Sequence, residues 1–593
     1  MTSHPLRSLG LVSVLGFAAG IGCAAGGAAP EASAVPPVDA AGDSGAPAEA
    51  SSDAGIVDAP TSDTGHAADA GPTGDTGHAA DAGPTGDAGP AGDTGPTGDG
   101  GAPGDSGAPP ADAPPPVASK CVPGTGTDYE VGPGLALKNL ADVPWTKLGP
   151  GDSVRIHARP TAYKEKIVIM QSGSDSAPLV VCGIPDAAGN LPIIDGNGAT
   201  SPATMKYPGY RPLESYGVVL ITNDYAAQTK YVELRGLDIR GARGASFTDS
   251  TGATVAYQDA SCIAMYRSAH VTFRGNSLSG CEEGLFFKST LNPNDITSDI
   301  LIEGNHFHDL GKVGGYLVHD AYSEGLRVTY QFNYFDDLIA GALGGCLKDR
   351  SAGTVIRYNF IRGCQRSIDL VETQDGAGPG GIDREPSYQT SYVYGNVIVY
   401  DDKSQGRTVV HYGGDQGSYG TYRKGTVYFY NNTVAILVPG RDAYDVAELF
   451  RIDSHTPQGT AEVWNNVVFQ GTKDGTPTVG PLALLGVDWL GGGVWGNLHL
   501  GKNVISSGFI GPNPHDPFSG TITGMDQVKS VTDPGFVDVA TEDFHLATGS
   551  PAIALGGVAP AGFDPAYAPV DEWVAPVGRK SRSDALTAGA FEP

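Results

Sequence analysis

A strand-like phrase recurs through the chain: VTFRGNSL, ILIEGNHF, VTYQFNYF, TVIRYNFI, SYVYGNVI, VYFYNNTV, AEVWNNVV and GGVWGNLH. Each sets an Asn ahead of a small or polar residue and then an apolar one. The residues are Asn276, Asn305, Asn333, Asn359, Asn396, Asn432, Asn466 and Asn497, spaced 26 to 37 apart. That spacing is the length of one solenoid coil with variable loops. The phrases are β-branched and aromatic, alternate with period two and carry no helical period. Short strands, Gly/Asn/Asp turns and one Asn per coil predict an all-β chain folded as a parallel β-helix. Asn side chains stacked inside the turns would hydrogen-bond from coil to coil, so they are read as structural.

The flanks extend this reading. Residues 149–198 resemble the opening coils of right-handed β-helix carbohydrate-active proteins, the pectate-lyase-like group. The stretch DPGFVDVATEDFHLATGSPAIALGG through TAGAFEP resembles the closing segment of extracellular β-helix proteins. The resemblance implies a right-handed solenoid over 121–530 and a closing segment over 531–593 that protects its exposed edge.

Ahead of the solenoid lie two segments of another kind. Residues 1–23 have a cationic start at Arg7 and an apolar run from Leu9 to Gly22, the pattern of a secretory signal. The run ends Gly20-Ile21-Gly22-Cys23, which resembles the lipobox of bacterial lipoproteins, with Gly20 where Leu is usual. The resemblance implies lipidation of Cys23 and a tether to the outer membrane or cell surface; the alternative is plain secretion. Residues 24–120 are nearly all Ala, Gly, Pro, Asp, Ser and Thr, with TGHAADAGPTGD at 64–75 repeated at 76–87. Glycine falls at every third position from Gly71 to Gly107 except at Ala80, a collagen-like period. The charges there are almost all Asp, so aligned chains would repel, and a disordered spacer is the expectation.

Charge and cysteines narrow the partners. The formal net charge is −29, of which the spacer's 13 Asp and 2 Glu against 1 Lys carry about −14. The solenoid remains acidic, which argues against nucleic acid and an anionic membrane surface as partners. With Cys23 set aside, Cys121, Cys182, Cys262, Cys281, Cys346 and Cys364 can pair fully in an oxidising compartment. Their connectivity is not legible. No pair is spaced CxxC, which argues against zinc or redox use.

Each coil also holds a second strand. Aligned on the turn, these read GLFFKS (284–289), GYLVHD (315–320), GCLKDR (345–350), RSIDLVE (366–372), TVVHYGG (408–414) and ELFRIDS (448–454). Period-two alternation turns one set outward, stacked roughly 4.8 Å apart. The expected outward column is Lys288, His319 or Asp320, Lys348, Asp369 with Glu372, His411 and Arg451. A solvated sheet face would be rich in Thr, Ser and Asn. A run of Lys, His, carboxylates and Arg instead suits a groove that binds a sugar chain and moves protons.

The stretch CLKDRSAGTVIRYNFIRGCQRSIDLVE is similar to the active-strand region of the alginate lyase and chondroitinase B family of polysaccharide lyases. That resemblance implies β-elimination with a lysine base, assisted by calcium and an arginine, and it places Lys348 at the lysine position. The family's arginine position is Val371 here, and its calcium-holding glutamates are replaced by Gly344 and Cys346. A lysine base at neutral pH needs neighbours that favour its neutral form; Arg350 and His319 are the expected ones, with Asp349 opposing. Arg451 or His411 would neutralise the substrate carboxylate.

Two rival readings use the same residues. Asp369 and Glu372 with Asp320 or Glu324 would make an acid/base pair for glycoside hydrolysis. A non-catalytic, surface-tethered carbohydrate-binding or adhesion protein would display the solenoid face alone. Lys288, Tyr322, Glu324 and Tyr412 are candidate sugar contacts, and the loop 373–391 is a specificity lip. His306 and His308 are read as turn residues. A polysaccharide is the expected partner and the chain is expected to act as a monomer; no metal ligand is assigned.

Overall fold

The computed structural model describes residues 120–593 apart from 203–210, 224–226, 291, 293–294, 405–407, 416–418, 439–446, 454–457, 479–481, 487–493 and 514–517. The signal segment, Cys23 and the spacer therefore lie outside the described residues.

Three long parallel sheets dominate: a first of 13 strands and a second and third of 11 each. In a typical coil the chain passes from the first sheet (Ser268–Arg274) to the third (Ser277–Ser279) and then to the second (Glu283–Lys288). Each strand pairs in parallel with its counterpart one coil away, as Val271 does with Ile300. Parallel crossovers are right-handed, and the fold is a right-handed parallel β-helix. The core is a continuous stack of inward-facing Val, Ile, Leu and Phe, which Leu140, Val143, Trp145 and Leu148 join near the first coil.

The turn between the first and third sheets holds the asparagine ladder. Asn305 Oδ1 accepts from the main-chain N and the Nδ2 of Asn276, and the same pattern repeats through Asn333, Asn359, Asn396, Asn432 and Asn466. An amide is both donor and acceptor, so identical groups satisfy one another in a stack, each bond contributing about 1 kcal/mol. Asn497 departs from expectation. The last rung is Asn503, whose Oδ1 accepts from Asn466. Asn497 instead lies within the first-sheet strand Val494–Leu500, because that strand runs on to Leu500 before turning. The residue before each rung from Asn276 to Asn466 takes positive φ where the turn reverses; Gly275, Gly304 and Gly395 meet this freely, whereas Phe332 and Tyr358 hold φ 55° while stacked on each other.

All six described cysteines pair: Cys121–Cys182, Cys262–Cys281 and Cys346–Cys364. The last two staple the corner where a third-sheet strand leads into the second sheet. One of them holds the start of Leu347–Asp349, the strand that carries Lys348.

After Val531 the chain forms two antiparallel hairpins, Phe536–Asp538 with Asp543–Leu546 and Asp571–Val574 with Gly578–Ser581. This segment runs back along the outside of the coils. Tyr567 stacks on Tyr392 at 3.8 Å, Trp573 packs on Phe360, and Tyr358 OH accepts from Val570 N. A second apolar cluster, including Tyr394, Tyr430, Trp464 and Phe591, seals this contact.

Candidate active site

The second sheet sets an outward column by register. Phe286 pairs with Tyr322, Tyr322 with Lys348, Lys348 with Asp369, Asp369 with His411 and His411 with Arg451. Lys348, Asp369, His411 and Arg451 thus stand in one line. The coil before Lys348 differs from expectation: its strand is Ala321–Ser323, so Tyr322 takes the place expected for His319 or Asp320. Lys288 lies two residues beyond the column member Phe286. Phe286 and Tyr322 stack at 5.1 Å, so the line runs from an aromatic platform into an ionic cluster.

The cluster is far more buried than a solvated groove. Lys348 is 7% exposed, and Asp369, His411 and Arg451 are 2% or less. The charges survive because they pair. Lys348 Nζ lies 2.7 Å from Asp415 Oδ2 and 3.9 Å from Asp369 Oδ2. Arg350 reaches Asp415 Oδ1 at 3.2 Å and Glu372 Oε2 at 3.3 Å, and also donates to the Glu372 carbonyl. His411 bridges two carboxylates, with Nδ1 at 2.5 Å from Asp369 and Nε2 at 3.0 Å from Asp453. Arg366 adds a contact to Asp369 at 3.3 Å, and Arg451 Nε lies 3.8 Å from Asp453. Lys348 is therefore bracketed by carboxylates rather than by the cations expected around it.

The titration states follow. Burial disfavours the Asp369 carboxylate, but Arg366, His411 and Lys348 outweigh it and hold that group well below the usual range. Burial also opposes the His411 imidazolium, yet Asp369 and Asp453 prevail and the shift is upward. Asp415, against its own desolvation, is held low by Lys348 and Arg350. His319 goes the other way: burial and the charges of Lys348 and Arg350 push it down to about 3, so the ring is neutral. Its Nδ1 accepts from Gly345 N, which puts the ring proton on Nε2, and Nε2 has no partner among the described residues.

Several expected contacts serve the scaffold. Tyr412 lies on the inward side of its strand, fully buried in the core. Glu324 Oε1 accepts from Thr373 Oγ1, Gln374 N and Gly376 N, anchoring the loop 373–391, and Lys288 pins the same loop through Asp375 at 2.7 Å. Asp320 is buried against Cys364, and burial and Asp336 raise its carboxyl well above the usual range. Asp349 faces inward to Arg423, at 3.0 Å, with both side chains fully buried. Arg423 also donates to the Val371 carbonyl and to Ser391, locking the ends of the two central strands. His306 and His308 lie in a strand, His306–His308, of the third sheet.

Sequence reasoning missed Asp415, Asp453, Arg366 and Arg423. Asp415 follows its strand, Thr408–Tyr412, by three residues, beyond the reach of period-two alternation, and Asp453 follows Ala447–Ile452 by one.

The donor set does not fit calcium. Cys346, at one of the family's calcium positions, is in a disulfide, and Asp369 and Asp415 already face Lys348, Arg350, Arg366 and His411. Asp320 lies near Cys346 and Cys364, but those sulfurs bind each other.

No protein-family model matches the chain, and no curated protein matches it. Solved structures do. The pectate lyase Pel9A is 13% identical, covering 79% of this chain and 96% of its own, with a TM-score of 0.37. An alginate lyase from Paenibacillus sp. str. FPU-7 is 13% identical over 55% of this chain and 90% of its own, at 0.34. A family 28 exopolygalacturonase from Yersinia enterocolitica is 11% identical over 68% of this chain and 79% of its own, at 0.32.

Proposed function

We propose that the chain is a polysaccharide lyase that cleaves a uronic-acid-containing polymer by β-elimination. One observation carries the reading: in a chain of net charge −29, the outward column and its flanks gather four cations and a histidine, interleaved with carboxylates, on one sheet. The cations are Lys348, Arg350, Arg366 and Arg451, and the histidine is His411; the carboxylates are Asp369, Glu372, Asp415 and Asp453. A concentration of arginine and lysine in an acidic chain is suited to an anionic ligand, and each uronate supplies a carboxylate. The stacked Phe286 and Tyr322 offer a sugar face beside it.

In this reading Arg350 holds the substrate carboxylate as negative charge builds on it. Lys348 is the base that takes the proton from the carbon α to that carboxylate. The carbon–carbon double bond forms as the glycosidic carbon–oxygen bond breaks. The His411 imidazolium, held by Asp369 and Asp453, is the acid in the column for the departing oxygen. Hydrolysis fits less well: Asp369 and Asp415 are held low, and Asp320 and Glu324, whose carboxyls burial raises, are fully buried in the scaffold contacts described above.

The test is the appearance of the unsaturated-uronate absorbance when the purified chain meets a panel of uronic-acid polymers. Lys348→Ala is expected to slow that rise by about 10³-fold. New reducing ends without absorbance would replace the lyase with a hydrolase. Binding without either product would leave a carbohydrate-binding protein.

A further inference from the structure

Asp415 stands on the turn after the strand Thr408–Tyr412, and its two oxygens enter one cationic fork. Oδ2 meets Lys348 Nζ at 2.7 Å and Oδ1 meets Arg350 Nη2 at 3.2 Å, while its main-chain N donates to Glu372 Oε2 at 3.0 Å. A carboxylate spanning a lysine and an arginine is how proteins recognise an acidic ligand. Two features set Asp415 apart from Asp369 and Glu372. Its side chain is 15% exposed, against 3% for Asp369 and 1% for Glu372, so it closes the fork from the solvent side. Both cations also keep a partner without it: Asp369 lies 3.9 Å from Lys348, and Glu372 lies 3.3 Å from Arg350.

We propose that Asp415 is an internal competitor for the substrate's carboxylate: it occupies the Lys348–Arg350 fork in the free protein and yields it only to a ligand carrying its own carboxylate. The inference rests on the uronate reading of this site and adds a selection rule to it. A free uronate replaces the charge that Asp415 withdraws. A methyl-esterified uronate or a neutral sugar does not, and leaves the fork short of an anion. Rotation of one short side chain clears the seat, so no rearrangement of the column is required.

Calorimetric titration of the full chain, Asp415→Ala and Asp415→Asn tests this. The probes are trisaccharides of galacturonate, glucuronate, mannuronate and guluronate, each as free acid and as methyl ester, at fixed ionic strength. At least one free acid is expected to bind Asp415→Ala about tenfold more tightly than wild type. Asp415→Asn, equal in size and free of charge, should fall between them and keeps the test open if the alanine variant folds poorly. The methyl esters should gain nothing. Equal gains for acid and ester, or no gain and no binding for any acid, would overturn the proposal. So would a loss of kcat in Asp415→Asn with affinity unchanged, which would make Asp415 a catalytic residue while leaving the lyase intact. Tighter free-acid binding with no unsaturated product from any polymer would sink the lyase and leave the competitor standing.

Discussion

Two lines of buried polar side chains climb this solenoid, and they are built on opposite rules. In the ladder from Asn276 to Asn503 every rung is the same residue with the same partners, one coil away. In the column from Lys348 to Arg451 no two members are alike, and most partners come from turns and loops off the sheet, as Asp415 does for Lys348 across 67 residues. The cause is electrostatic. A neutral amide is self-complementary, so identical amides stack without cost. Like charges at coil spacing repel, so a charged column must change sign as it climbs: Lys348, Asp369, His411, then Asp453 wedged before Arg451. Repetition therefore marks scaffold, and broken repetition among buried polar groups marks a site.

The sharpest way to break the comparison is to give the column a ladder residue. Asp369→Asn removes the charge that Lys348, Arg366 and His411 share and leaves them with only Asp415 and Asp453. Chemical denaturation should show a loss of about 3–5 kcal/mol. A loss under about 1 kcal/mol would mean that the column charges are not mutually compensated. The ladder should respond less and evenly. Asn359→Ala strips the acceptor from Asn333 N and its amide, and the donor to the Tyr330 carbonyl. It is expected to cost about 2–3 kcal/mol, with the same figure for Asn333→Ala and Asn396→Ala. At the end rung Asn503, which serves one neighbouring Asn, the cost should be smaller; equal costs along the whole ladder would deny that the rungs support one another.

What was legible in the sequence follows the same division. The ladder could be read because its period is the coil, and it failed only at Asn497, where a seven-residue strand carries the turn on to Asn503. Lys348, Asp369, His411 and Arg451 were legible because strand register preserves turn alignment. The 315–324 coil was misaligned because its strand begins only at Ala321, after a long approach. Lys288 and Glu324 carry the right chemistry, but it is spent on the loop 373–391. Asp415, Asp453 and Arg366 enter the site from turns, whose conformation no period predicts. Arg423 reaches Asp349 across 74 residues, and only the folded chain brings that pair together. Burial was the largest surprise, because alternation assigns a side chain to a face without saying what lies over it.

The smallest expected effect near neutrality is also the most specific. His319 is surrounded by Lys348, Arg350, Asp369 and Asp415, and burial with the two cations lowers its folded value to about 3 from an ordinary 6.5. A histidine so depressed takes up its proton in the unfolded chain first. The stability it permits is complete above about pH 6.5 and is lost as pH falls toward about 3, by roughly 1.4 kcal/mol per pH unit. His411, raised by Asp369 and Asp453, has the opposite sign: its contribution is complete below about 6.5 and is lost as pH rises through its folded value. His319→Gln keeps an acceptor for Gly345 N and removes the titration. The difference in unfolding free energy between wild type and this variant should be flat above about pH 7. It should then move against wild type by roughly 1.4 kcal/mol by about pH 5.5. A difference that stays flat to about pH 4 would mean that the ring is protonated in the folded chain. Its Nε2 would then be a charged neighbour of Lys348 rather than a neutral donor.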